Sequence, residues 1–156
     1  MTNFEIRIFG VGAILFTPDR KYLMQLRDDR PDVSMRGHWG LFGGVIEEGE
    51  DPSAALVREL REELDFVPDH VAAPFSQLVF DLGFAGRGID RKIFFAVPIA
   101  EESLSRMRLG EGQRMALFRL DELLREPRVT PWDLYGVLLH HRRISVASAL
   151  RRSDQA

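Results

Sequence analysis

The stretch Gly43–Phe66, GGVIEEGEDPSAALVRELREELDF, carries the most distinctive pattern in the chain. It holds eight carboxylates and two arginines, a local net charge of −6, whereas the whole chain of 156 residues has a net charge of −3. Like charges at helical spacing destabilise a helix by about 0.2–0.5 kcal/mol per pair. Such a segment is therefore either a solvated helix surface or a site for a positive ligand.

The second half of this stretch predicts an amphipathic helix. Asp51 followed by Pro52 is a typical helix start, because aspartate caps free N–H groups and proline has no N–H to leave unpaired. From Ser53 onward most residues are strong helix formers. The apolar stripe predicted to pack against a sheet consists of Leu56 or Val57, Leu60 and Leu64.

Three glutamates of the predicted helix share one face. Glu59 lies three residues before Glu62 and four residues before Glu63, so their carboxylates converge. The same pattern occurs on ordinary exposed helices, where Arg58 and Glu62 would form a favourable i, i+4 pair. The helix alone therefore leaves both interpretations open.

The loop before the helix favours a cation site. Gly43 and Gly44 follow a short apolar run, and glycine allows the backbone to turn sharply and to approach a ligand closely. Glu50 stands one residue before the helix cap. Carboxylate oxygens beside such a turn suit Mg²⁺ or Mn²⁺, because these ions bind few carboxylates, keep water and complete their shell with phosphate oxygens.

The rest of the chain predicts a sheet covered by helices. Runs rich in apolar residues predict strands at 4–16, 22–27, 75–84, 92–100 and 114–120. A short helix is expected at 121–126, and a C-terminal helix at 130–152, where Thr130 would be the cap and Gly136 could bend or interrupt the helix. Strands that alternate with helices in this order favour a mixed sheet covered by helices.

The spacing of the acidic segment resembles the Nudix box of MutT-like Nudix hydrolases, G-x5-E-x7-R-E-U-x-E-E-x-G-U, where U is a bulky apolar residue. The matching residues are Gly44, Glu50, Arg58, Glu59, Leu60, Glu62, Glu63 and Phe66. Asp65 stands where the pattern has its final glycine. We expect Asp65 to end the helix in the left-handed conformation, at a cost of about 1 kcal/mol.

The resemblance to Nudix hydrolases implies a fold and a reaction. The fold would be an α/β/α sandwich with a mixed central sheet, and we expect residues 1–156 to form this one domain. The reaction would be Mg²⁺- or Mn²⁺-dependent attack of water on a phosphorus of a nucleoside diphosphate linked to another moiety. An oxidised deoxynucleoside triphosphate and a nucleotide sugar are both candidate substrates, so the expected partner is a small nucleotide.

The resemblance also implies roles for individual residues. The ligands of about two metal ions would be Glu59, Glu62, Glu63 and the backbone carbonyl of Gly43. Glu50 and Arg58 would pair and orient Glu59 as a ligand or base. Glu111 lies in a glycine-flanked loop that resembles an E-G-Q element of the family, and it is either a further ligand or base or an ordinary loop residue. The general base is therefore Glu59, Glu62 or Glu111.

Other residues are candidates for contacts with the substrate. Trp39 and Phe42 lie beside the glycine turn and could stack on a base, although aromatic residues in such a strand more often belong to the core. Arginines in loops or at strand ends could bind phosphate or sugar: Arg27 above all, then Arg30, Arg36, Arg87 and Arg91. The run His140–Arg143, HHRR, predicts a solvated helix face.

Composition excludes several other classes of function. The hydrophobic content of 45% and charged content of 29% are those of a soluble globular protein. The pI of about 5.8 argues against bulk binding to nucleic acid or to an anionic membrane. The absence of cysteine excludes disulfides and thiolate chemistry. The short N-terminal apolar run lacks the features of a signal peptide, so we expect a cytoplasmic protein.

Two alternatives share the expected fold. A catalytically silent Nudix-like domain would bind or sense a nucleotide metabolite, but such domains often lose the box glutamates, which are all present here. An enzyme similar to isopentenyl-diphosphate isomerase would need a cysteine, which the chain lacks. The hydrolase is therefore favoured, while the particular substrate and the oligomeric state, including a homodimer, stay open.

Overall fold

The computed structural model describes residues 6–81, 83 and 88–153 of the chain. Within these residues the strands are β1 Ile6–Phe16, β2 Tyr22–Leu26, β3 Trp39–Gly40, β4 Ser76–Asp81, β5 Ile89–Pro98 and β6 Arg114–Phe118. The helices are α1 Pro52–Leu64, α2 Leu120–Arg125 and α3 Pro131–Ser153, with a 3-10 helix at Glu101–Arg106. Residues 4–5, 82 and 84 of the predicted strands, and the candidate Arg87, lie outside the described residues.

The strands form one mixed sheet in the order β3-β2-β1-β5-β4, and β6 also pairs with β2. β1 and β5 are parallel, whereas the other strand pairs are antiparallel. After β3 the chain continues beside β1, where the N–H of Val11 donates to the carbonyl of Gly44 (2.9 Å) and that of Ala13 donates to Phe42 (2.9 Å). These bonds fix the glycine turn to the centre of the sheet.

Alternation along β1 gives the sheet a hydrophobic layer on each face. Val11 and Leu15 pack in one cluster with Leu60 of α1. Ile14, which points to the opposite face, packs in a second cluster with Val137 of α3. Helices thus cover both faces of a mixed sheet, and the predicted α/β/α sandwich is confirmed.

Both ends of α1 form as the sequence predicts. The Asp51 carboxylate accepts from the N–H groups of Ser53 (2.8 Å) and Ala54 (3.3 Å). Asp65 has φ 50° and ψ 35°, the left-handed conformation that glycine usually provides, and its N–H donates to the carbonyl of Arg61 (3.0 Å). Aspartate therefore replaces the final glycine of the box without a change in how the helix ends.

The C-terminal helix is not interrupted at Gly136. α3 continues without interruption from Pro131 to Ser153. A Cβ atom on Gly136 would lie 2.8 Å from the ring of Phe94, so the glycine allows α3 to approach β5 closely. Within the described part of the chain, no helix, α3 included, is both long and apolar enough to cross a membrane.

The prediction of a solvated face at residues 140–143 is wrong for His140. Its side chain is 2% exposed and packs against the ring of Phe16, with centroids 4.5 Å apart. The Tyr22 hydroxyl lies 3.4 Å from Nδ1 of His140 and 3.2 Å from Nδ1 of His141. Tyr22 lies far from both histidines in the sequence, so no local pattern indicates that it is their polar partner.

Burial of His140 predicts a loss of stability in acid. Burial lowers the pKa of His140 from 6.5 to about 4, and the positive charge of Arg143 adds to this effect. Between these pH values the unfolded chain binds more protons than the folded chain, so stability falls as the pH falls from 6.5 to 4. We expect a contribution of about 3 kcal/mol to this pH dependence.

Urea unfolding at several pH values tests this expectation. The variant His140→Asn should have a smaller difference in unfolding free energy between pH 7 and pH 4.5 than the unmodified chain. The exposed His70, changed to asparagine in the same way, is the control and should leave the difference unchanged. An equal pH dependence in the His140→Asn variant and the unmodified chain would contradict the assignment.

Candidate functional site

Arg58 connects the loop of the acidic segment to the helix. Its guanidinium forms two hydrogen bonds with the Glu50 carboxylate (2.9 and 3.0 Å) and donates to the carbonyl of Val45 (2.9 Å). It also donates to Glu59 (2.7 Å) and lies 3.5 Å from Glu62. The hydrogen bonds from Arg58 lower the pKa of Glu50, which keeps that carboxylate ionised. Arg58 and Glu50 thus form the pair that the family pattern implies.

The carboxylate of Glu59 lies between Arg58 and the glycine turn. A Cβ atom on Gly44 would overlap the Glu59 carboxylate, so only glycine leaves room for it there. The side chain of Glu59 is 14% exposed. Burial raises the pKa of Glu59, although the hydrogen bond from Arg58 acts in the opposite direction. The positive charge of Arg58 therefore only partly compensates the negative charge of Glu59.

Glu63 is the most deeply buried of the three box glutamates on α1, with 5% exposure. One of its oxygens accepts from the N–H of Gly43 (2.7 Å) and the other from Nε2 of Gln25 (3.0 Å). Burial raises the pKa of Glu63 to about 7. Gly43 has φ 129°, and a Cβ atom there would overlap the carbonyl oxygen of Val11, so glycine is required at this position.

The loop before β6 brings Glu111 to the same end of α1. The N–H of Gly110 donates to the carbonyl of Glu63 (2.7 Å), and a Cβ atom on Gly110 would overlap the carbonyl of Glu62. Glu63 and Glu111 line one cavity together with Gln25, and the charge of Glu111 adds a small contribution to the raised pKa of both Glu59 and Glu63. The Glu62 side chain is 59% exposed at the edge of this group.

Two of the candidate substrate contacts belong to the core. Phe42 is fully buried, and Trp39 is 4% exposed with its ring packed against Phe118 at a centroid distance of 4.7 Å. Neither ring therefore presents a face on which a base could stack. Arg27 is half-buried, and its Nε donates to the carbonyl of Ser34 (2.8 Å).

A cleft of about 180 Å³ opens beside the glycine turn. Gly43, Gly44 and Arg27 line it together with Lys92 of β5. Its aromatic lining consists of Phe80 of β4 and Trp132 of α3, both half-buried, whose rings stack with an interplanar angle of 12° and a centroid distance of 5.3 Å. No local sequence pattern marks this pair, because the fold brings together residues from distant elements.

Asp133 holds the segment that leads into the glycine turn. Its carboxylate, 1% exposed, accepts from the N–H of Leu41 (3.1 Å) and from the hydroxyl of Thr130 (2.6 Å). Its other oxygen pairs with Nζ of Lys92 at 2.6 Å. The start of α3 is thereby tied both to β5 and to the residues just before Gly43.

The acids of the box fit a small divalent cation by charge and donor type. No three histidine, aspartate or glutamate side chains among the described residues are close enough to enclose a metal ion by themselves. Mg²⁺ does not need such a cage, because it binds through one or two carboxylates and keeps water and phosphate oxygens in its shell. A cation would also relieve the repulsion among Glu59, Glu63 and Glu111, which Arg58 alone only partly offsets.

An α/β/α sandwich with this acidic box on the helix after a glycine turn defines a Nudix domain. The family model described as NUDIX domain matches residues 7–138. The chain therefore belongs to the Nudix hydrolase family, as its box predicts.

Known proteins of this family include relatives in sequence and in structure. An RNA pyrophosphohydrolase from Gluconacetobacter diazotrophicus is 40% identical over 58 residues, which span 35% of this chain and 35% of that protein. The MutT protein from Methanosarcina mazei Go1 has a TM-score of 0.74 at 18% identity, covering 89% of this chain and 96% of that one. The Nudix domain of Shewanella oneidensis NrtR, solved with ADP ribose, has a TM-score of 0.72 at 22% identity, covering 90% of each chain.

Proposed function

We propose that the chain is a Mg²⁺- or Mn²⁺-dependent pyrophosphohydrolase acting on a nucleoside diphosphate linked to another moiety. The class includes nucleoside triphosphates and nucleotide sugars. The observation that carries the proposal is the position of Glu59 and Glu63 beside the glycine turn. Gly44 leaves room for the Glu59 carboxylate, the N–H of Gly43 donates to Glu63 (2.7 Å), and a cleft opens next to them. The name of the RNA pyrophosphohydrolase relative supports the same class of reaction.

Each residue of the box has a part in this reaction. The metal would be held by Glu59, Glu62, Glu63 and the backbone carbonyl of Gly43. A bound divalent ion acts as a Lewis acid and as a template for the diphosphate. Arg58 donates hydrogen bonds to both Glu59 and Glu50, and thereby orients the Glu59 carboxylate. A carboxylate of the cluster takes the proton of the attacking water, and Glu59, Glu62 and Glu111 are the candidates.

The nucleoside part of the substrate would lie in the cleft beside Gly43 and Gly44. Phe80 and Trp132 offer aromatic surface there, in place of the buried Trp39 and Phe42. Lys92 and Arg27 add positive charge at the same cleft, which suits the phosphates that connect the nucleoside to the metal.

Calorimetry and a substrate screen test the proposal together. Mn²⁺ or Mg²⁺ should release or absorb heat on binding to the chain, and more strongly when a nucleotide is present. Nucleoside triphosphates and diphosphate-linked metabolites should release phosphate or pyrophosphate only with the metal. Absence of any heat of association would refute the cation site. Nucleotide binding without turnover of any compound would support the silent binding domain instead.

A further inference from the structure

β2 places one polar side chain on the sheet face that α1 covers. Leu23 belongs to the hydrophobic cluster on this face, and Gln25 follows it two residues later, so both point the same way. Gln25 is 4% exposed. A buried amide costs free energy unless it is hydrogen-bonded, so the contacts of Gln25 indicate what it does.

The contacts of Gln25 lead to a glutamate of the box. Its Nε2 lies 3.0 Å from Oε1 of Glu63 and 3.4 Å from the carbonyl oxygen of Leu41. The second oxygen of Glu63 accepts from the backbone N–H of Gly43. Each oxygen of this carboxylate therefore has a donor, and Gln25 is the side chain that supplies one of them.

The other end of the same amide faces the loop that carries Glu111. A Cβ atom on Gly112 would lie 2.9 Å from Oε1 of Gln25, so the loop packs directly on the glutamine. Gly112 has φ 85°, and the next residue, Gln113, donates its N–H to the carbonyl of Leu26 (2.8 Å). The loop thus lies on the oxygen side of the Gln25 amide, while the NH₂ group is directed towards Glu63.

We propose that Gln25 is a positioning residue for the divalent cation, acting through Glu63. Its amide fixes the orientation of the Glu63 carboxylate and seats the Glu111 loop beside it. A neutral donor suits this task, since lysine or arginine would neutralise the charge that attracts the cation, whereas an apolar residue would leave a buried oxygen without its donor. The inference rests on the proposed function and deepens it.

Manganese binding to the full chain, measured by calorimetry without substrate, tests the role of Gln25. Gln25→Met keeps the length of the side chain and removes the donor, and we expect its Mn²⁺ affinity to fall about tenfold or more, the range seen for residues that support metal ligands. Gln77→Met is the matched control, because Gln77 is an exposed glutamine of β4 that bonds Arg91. Its Mn²⁺ affinity should be unchanged.

A double-mutant cycle separates positioning from general support of the fold. When Glu63 is already glutamine, Gln25→Met should cost little further Mn²⁺ affinity, because the residue through which Gln25 acts has lost its charge. In hydrolysis assays, Gln25→Met should raise the metal concentration needed for half-maximal rate. Its kcat at saturating metal should stay within about twofold, a split that loss of folded protein would not produce.

The outcomes distinguish this inference from the proposed function. The inference alone would be overturned if Gln25→Met bound Mn²⁺ as tightly as the unmodified chain. It would also be overturned if Gln25→Met lowered the Mn²⁺ affinity equally in the presence of Glu63 and in the Glu63→Gln variant. No heat from the unmodified chain would overturn the proposed function and the inference with it. Gln25→Asn, whose amide is one methylene too short to reach Glu63, is measured in parallel and takes the place of Gln25→Met if thermal melting shows that variant unfolded.

Discussion

Replacement of Glu62 by glutamine (E62Q) is expected to reduce hydrolysis by on the order of 10²–10⁴-fold, because it removes a negative charge from the proposed cation site. The side chain is 59% exposed and its nearest ion-pair partner, Arg58, lies 3.5 Å away. Exposed substitutions of this kind usually change stability by less than about 0.5 kcal/mol. Turnover of the best substrate found in the screen, measured at saturating Mn²⁺, should show the loss while the melting temperature stays unchanged.

Glu102→Gln is the matched control for this variant. Glu102 is an exposed glutamate of the 3-10 helix, outside the proposed site. It should retain full turnover and full metal affinity. Full turnover in E62Q would remove Glu62 from the ligand set, and an equal loss in both variants would point to bulk charge rather than to a site.

The largest effect on stability is expected from Asp133→Ala. This change leaves Lys92, whose side chain is 15% exposed, without its partner at 2.6 Å, and removes the acceptor of the Leu41 N–H. Loss of one member of a buried ion pair typically costs about 3–5 kcal/mol. Chemical denaturation should show this loss, and the melting temperature should fall by about 10 °C.

Asp121→Ala provides the comparison for Asp133→Ala. Asp121 pairs with Arg125 at 2.7 Å on the surface of α2, where both side chains are more than half exposed. Exposed pairs contribute about 1 kcal/mol or less, so this variant should melt close to the unmodified chain. If both variants lost a similar free energy of unfolding, the buried pair of Lys92 and Asp133 would contribute no more to stability than an exposed pair.

The features that the sequence predicted well are those encoded over a few neighbouring residues. The cap at Asp51 and the left-handed residue at Asp65 depend on side chains and backbone preferences within one helical turn. The helix that carries Glu59, Glu62 and Glu63 is encoded by a run of strong helix formers from Ser53 onward. The apolar run along β1 likewise predicts a strand.

The features that the sequence did not predict depend on contacts between distant elements. The sequence makes Trp39 a candidate for base stacking because nothing local shows that Phe118 of β6 packs against its ring. His140 looked exposed because its partner, Tyr22, lies in β2. No local pattern marks Gln25, since its contact with Glu63 exists only once α1 packs on the sheet. The stacked Phe80 and Trp132 belong to the same class.

The parallel pairing of β1 with β5 has a consequence for the order in which the molecule assembles. Gly10 stands opposite Lys92, so the central pair of strands closes a loop of about eighty residues that contains all of α1. Loop closure of this size is slow compared with local pairing. A chain still emerging from the ribosome would therefore carry its acidic helix without the complete sheet that buries Glu63, and the proposed metal site would form only after β5 has been made.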